Sequence, residues 1–82
     1  MASRRIKTYG TVTTPDGWVW ESVFWSIYRP WANDAARLFK DFGLHVMVLD
    51  RRSRGGDKNY HVFVPSEQLA PVPGILARLY GR

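Results

Sequence analysis

Residues 45–64 read His45-Val46-Met47-Val48-Leu49-Asp50-Arg51-Arg52-Ser53-Arg54-Gly55-Gly56-Asp57-Lys58-Asn59-Tyr60-His61-Val62-Phe63-Val64. Two β-branched and aromatic runs, residues 45–49 and 60–64, flank a basic stretch hinged on two adjacent glycines. That pattern predicts a β-hairpin with a basic loop over residues 51–58. Arg51, Arg52, Arg54 and Lys58 add little to a core when carried on a mobile tip. They suit contact with phosphates or with an acidic partner surface. With this hairpin in place, the rest of the chain is read as an antiparallel sheet and the helices that cover it.

Upstream, residues 5–13 alternate as a strand, with Ile6, Thr8 and Val12 on one face and Lys7, Tyr9 and Thr11 on the other. Thr14-Pro15-Asp16-Gly17 then signals a tight turn, because Pro presets φ, Asp bonds its own backbone and Gly takes the left-handed position. A second strand is expected over residues 18–28. Its even positions carry Trp18, Trp20, Phe24 and Tyr28, and its odd positions Val19, Val23, Trp25 and Ile27. Both faces are apolar, which predicts either a central strand or one bent by a bulge near Ser22. A helix is the competing reading of this stretch, and its β-branched and aromatic content favours strand.

Arg29-Pro30 ends that strand. A helix is expected over residues 31–42, capped by Asn33 or Asp34 or opened by Pro30, with Ala35, Leu38, Phe39 and Phe42 as its apolar stripe. Gly43 serves as its left-handed C-cap, and Leu44 closes over the last turn. After the hairpin, Pro65 ends the strand, residues 66–69 begin a helix that Pro71 cuts short, and residues 73–80 form a second helix. Gly81 follows that helix, and Ile75, Leu76, Leu79 and Tyr80 are placed on the sheet. The order is β-β-α-β-β-α, an α+β domain with helices on one face of an antiparallel sheet.

Eighty-two residues make one domain, 1–82, with a modest core. Its 45% hydrophobic and 15% aromatic content, including four Trp, argues for a folded unit and against a disordered basic tail. Absence of Cys removes disulfides, thiolate zinc sites and cysteine nucleophiles, and fits a reducing cytosol. No apolar run follows the basic start as in a signal peptide, and none approaches a membrane span of roughly 20 residues. A soluble, cytoplasmic protein is therefore expected. The net charge of +5 collects at Arg4, Arg5 and Lys7, at the 51–58 loop, and at Arg78 with Arg82. Such clustering favours nucleic acid, an acidic protein surface or an anionic membrane.

No catalytic constellation emerges. Most carboxylates sit at turns or helix ends, and the serines have neither elbow nor triad context. His45 and His61 fall on neighbouring strands and could face each other, but two imidazoles without a third ligand make a poor metal site. No cofactor is expected, and Gly55-Gly56 lacks P-loop spacing. Lys58 and Tyr60 fall where the RNP1 strand of an RNA-recognition motif has a basic residue and an aromatic. The glycines of that motif are missing and the element order differs, so the chain is not assigned there. Base stacking on Tyr60 or Phe63 stays open. If the even positions of the second strand are the core, the exposed aromatic surface shrinks to Trp25 and its neighbours. If the odd positions pack on the helices, Trp18, Trp20, Phe24 and Tyr28 form an apolar patch. That patch would stack on bases, bind a protein or make a homodimer interface.

In size, in lacking catalytic motifs and in its α+β layout, the chain resembles small phage-encoded host-takeover proteins, including anti-CRISPR proteins. The resemblance implies a non-catalytic inhibitor that docks on a nucleoprotein machine such as a CRISPR effector complex and blocks its nucleic-acid binding. The alternative is a module that binds DNA or RNA directly. In either case Arg51, Arg52, Arg54 and Lys58 are the leading contacts, then Arg4, Arg5 and Lys7, with Trp18, Trp20 and Tyr60 as aromatic contacts.

Overall fold

A computed structural model describes residues 6–81; Arg4, Arg5 and Arg82 lie outside them. Strands β1 (Thr11–Thr13), β2 (Val19–Ser26), β3 (Met47–Arg52) and β4 (Lys58–Pro65) pair antiparallel in the order β1-β2-β4-β3. Helix α1 (Arg29–Asp41) joins the two hairpins, and α2 (Val72–Tyr80) ends the described chain after a 3-10 turn over Ser66–Gln68. This is the β-β-α-β-β-α arrangement that the sequence predicts.

The first turn forms as its residues dictate. Gly17 adopts φ +89°, and the N–H groups of Gly17 and Thr14 donate to Thr14 O and Trp18 O, each at 2.9 Å. The Asp16 carboxylate accepts from the Thr14 hydroxyl and from the Trp18 N–H. These bonds, the hydroxyl first, hold the Asp16 carboxyl below its ordinary pKa. β1 is shorter than expected. Its ladder covers only Thr11–Thr13, because Gly10 turns to φ +133° and leaves a single further exchange with Ser22, Tyr9 N–H to Ser22 O and Ser22 N–H to Gly10 O.

β2 is central, and it is also bulged. Ser22 lies opposite Phe63 while Phe24 lies opposite Val62, so Val23 is an extra residue without a partner. The bulge resets the alternation of side chains. Trp20 and Ser22 point to the face away from the helices. Phe24 then points toward them, and Trp25, opposite His61, returns to the first face. Neither the even nor the odd positions of this strand therefore share one face.

The helix side holds the larger core. Val23 and Phe24 from β2 and Val62 and Val64 from β4 meet Ala32, Ala35, Ala36 and Phe39 of α1 and Val72 and Ile75 of α2. Three alanines on the buried face bring α1 close against the sheet. The helix begins two residues earlier than expected, at Arg29, with Pro30 in its first turn where a missing N–H is harmless. Tyr28, in extended conformation, occupies the capping position without a side-chain bond, so neither Asn33 nor Asp34 is the cap. Gly43 at φ +86° ends the helix and Leu44 N–H returns to Phe39 O at 3.1 Å, as predicted. Phe42 departs from the predicted stripe. It is exposed, with the Arg78 guanidinium 5.3 Å from its ring centre. Tyr80 is likewise mostly exposed, its ring 6.4 Å from that of Phe24, and not seated on the sheet as expected. No helix among the described residues is long and apolar enough to cross a membrane.

Candidate functional site

The face of the sheet away from the helices is curled, and its centre is dry. A Cβ built on Gly10 would lie 2.7 Å from Arg51 Nη1, although two strands separate β1 from β3. Arg51 therefore arches over the concavity and meets the start of β1. On the same face, Phe63 is 0% exposed, yet it stands apart from the core that the helices cover. Ser22 Oγ and His61 Nδ1 share a buried hydrogen bond of 2.7 Å. The His61 ring stacks on Trp25 at 6.3 Å and lies 6.1 Å from Phe63. Burial, and secondarily the positive charge of Arg51, lower the His61 pKa below its ordinary 6.5. Trp18 and Trp20 close the other end, 5.8 Å apart, with His45 edge-on to Trp18 at 5.5 Å.

A Ser–His pair invites a catalytic reading, and its setting bears on that reading. Ser22 is completely buried, so no substrate reaches its hydroxyl. The bond satisfies two polar groups that the curl takes out of water. The two histidines do not face each other as the sequence suggested. Leu49 is the cross-strand partner of His61, while the backbone N–H of His45 donates to Gln68 Oε1 at 2.8 Å. Among the described residues no three metal-ligating side chains cluster.

The structure divides the predicted cationic loop between two faces. The ladder runs on to Arg52 opposite Lys58, which leaves only residues 53–57 as the turn. Ser53 N–H donates to Asp57 O at 2.8 Å, and Gly56 takes φ +87°. Arg51 points into the concavity. Arg52 and Lys58, directly opposite each other, share the other face. Arg52 Nη1 donates to Gly56 O at 3.3 Å, and Lys58 Nζ pairs with Asp50 at 3.5 Å. Arg54 stands exposed on the turn. Lys7 lies elsewhere, 5.6 Å over the Tyr9 ring, in an apolar groove shared with Val72, Leu76 and Tyr80.

The predicted aromatic contacts are split in the same way. Trp18 and Trp20 belong to the concave face, and Tyr60 to the helix side, where it is half-buried. Phe63 is too deep to stack on a base. One contributor escaped the sequence reading: Arg29, at the start of α1, sits with its guanidinium 6.0 Å over the Tyr60 ring. Arg29, Asn33, Asp50, Lys58 and Tyr60 line a shallow recess of about 260 Å³. An i-to-j distance of 31 residues hides this pairing from any local pattern. The hairpin end thus gathers Arg29, Arg51, Arg52, Arg54 and Lys58 around only two carboxylates, Asp50 and Asp57. No known protein family, curated protein or solved structure matches the chain.

Proposed function

We propose that this chain is a non-catalytic binding protein whose cationic hairpin end docks on a nucleoprotein machine and blocks its access to nucleic acid. The observation that carries the reading is the concentration of five cations against two carboxylates at one end of the sheet. Such an imbalance has no role in the core and creates a field that attracts polyanions. The resemblance in size and layout to small phage-encoded inhibitors, including those of CRISPR effector complexes, supports the inhibitor form.

Direct binding of DNA or RNA is the second reading, favoured by the recess that Arg29, Lys58 and Tyr60 line together. Cations beside an aromatic suit a phosphate and its base. Pull-down from host lysate, with and without nuclease, separates the two. A defined protein complex that survives nuclease supports the inhibitor, whereas capture lost on nuclease treatment supports direct binding. Charge reversal of Arg52 and Arg54 to Glu then tests the surface itself. Binding that keeps its affinity and its salt dependence in that variant would remove the hairpin from the account.

A further inference from the structure

A second surface, apart from the cationic recess, lies along the part of the β2 edge that no described strand covers. β1 covers this edge only as far as Glu21, and Tyr9 and Gly10 only as far as Ser22. Among the described residues no strand pairs on that side from Val23 to Ser26. A bare edge is a template for another strand. Here apolar side chains flank it on both faces. Trp25 stands on the concave side and Tyr80 on the helix side, and the two share a groove with Ile27 and Trp31. Ile27 is 70% exposed, Tyr80 69% and Trp31 62%, with Tyr28 and Trp25 about half exposed. At roughly 200 Å² per large side chain, these five present about 600 Å² of apolar surface, the top of the range for a monomer.

We infer that this edge is a self-association surface, at which two copies pair β2 against β2 across a two-fold axis. The arrangement is self-complementary, as an isologous contact requires: antiparallel edge on antiparallel edge, apolar flank on apolar flank. The area suits it. Two copies would remove about 1,200 Å² of side-chain surface, where specific interfaces begin, before any backbone contribution. The charge suits it too. Residues 23–28 carry no charged side chain, so the strip offers no cation to a polyanion and sets no like charges face to face. Each copy carries a net +5, and long-range repulsion between the copies weakens as salt screens it. Self-association therefore strengthens with ionic strength, the reverse of phosphate binding.

Sedimentation of the full chain from micromolar to millimolar concentration, at low and high salt, tests this directly. The expected result is a mass that rises toward two chains with concentration and rises further with salt. Hydrogen exchange at residues 23–27 slows in step. Ile27→Glu places a carboxylate in the apolar flank of the contact and weakens self-association by roughly 30-fold or more, while the thermal midpoint of the dilute protein stays put. Trp31→Glu, on the adjoining helix, does the same. A single-chain mass up to millimolar concentration overturns the inference. So does a dimer that survives both substitutions, or a patch protected only when a different protein is added.

Discussion

Phe63→Ala is the most direct probe of the curled face. On a flat sheet with helices on one side, Phe63 would point to solvent and its loss would cost little. In this structure it is 0% exposed, enclosed among Ser22, His61 and their neighbours on the concave face. Truncating a fully buried Phe costs about 3–5 kcal/mol, from lost transfer energy and from the cavity left behind. An 82-residue domain has a total stability of only about 4–12 kcal/mol. The substitution should therefore remove about a quarter of it or more. In urea, with a slope of about 1 kcal/mol/M for so small a chain, the midpoint falls by roughly 3–5 M, or the variant is unfolded in water. Phe63→Leu keeps part of the volume and should fall between the two, which gives a graded series followed by tryptophan fluorescence. Trp25→Ala, at a nearly half-exposed position on the same face, should cost less than Phe63→Ala. A loss below about 1 kcal/mol for Phe63→Ala would refute the closed concavity, and with it the placement of Arg51.

Three other outcomes follow from the same geometry. His61 is held neutral, with its folded pKa below the ordinary 6.5. Its contribution to stability is complete above that value and is lost as pH falls through the folded pKa, because the unfolded chain takes the proton first. Thermal midpoints measured from neutral pH to about pH 5 should fall, and His61→Asn should flatten the slope. Gly10→Ala forces a side chain onto a backbone at φ +133° and against Arg51 Nη1. It should destabilise by about 1–3 kcal/mol and, by displacing the guanidinium, raise the His61 pKa read by NMR; an unmoved pKa would mean that Arg51 does not rest there. Trp20 Nε1 is buried without a hydrogen-bond partner among the described residues. Trp20→Phe removes that orphaned donor along with some packing area, so chemical denaturation should show a change below about 1 kcal/mol.

Much of the fold was legible because its signals are local. Thr14-Pro15-Asp16-Gly17 and Gly43-Leu44 each fix their own backbone, and the structure shows turn and helix end at those points, whereas the helix opens at Arg29, two residues before the start that the sequence predicts. The β2 stretch was legible up to a point. Its two apolar faces called for a central strand or a bulge near Ser22, and both are present. Which tryptophan falls on which face depends on the single unpaired residue, Val23, and no alternation rule locates that. The candidate site was legible as composition and not as geometry. Arg51 and Arg52 are neighbours in sequence, yet a strand sends neighbours to opposite faces. Once the ladder extended to Lys58, the cluster had to divide. Arg29 over Tyr60 and Arg51 against Gly10 join residues 31 and 41 positions apart, distances at which sequence spacing carries no information.

The unpaired Val23 also governs the outline of the molecule. Its flanking residues would keep their present faces if it were deleted, because Ser22 and Phe24 already sit opposite the consecutive residues Phe63 and Val62. What deletion would take away, besides the buried Val23 side chain itself, is the bend and extra twist that a bulge gives its strand. A flatter sheet would part Arg51 from Gly10, admit water to Ser22 and His61, and bare Phe63. The shape of the concave face is thus recorded in the length of β2 as well as in its composition. The 53–57 turn, outside every packed layer, can gain or lose residues with little effect on that shape. An NMR titration of His61 in a Val23 deletion would show the difference as a pKa returned toward its ordinary value.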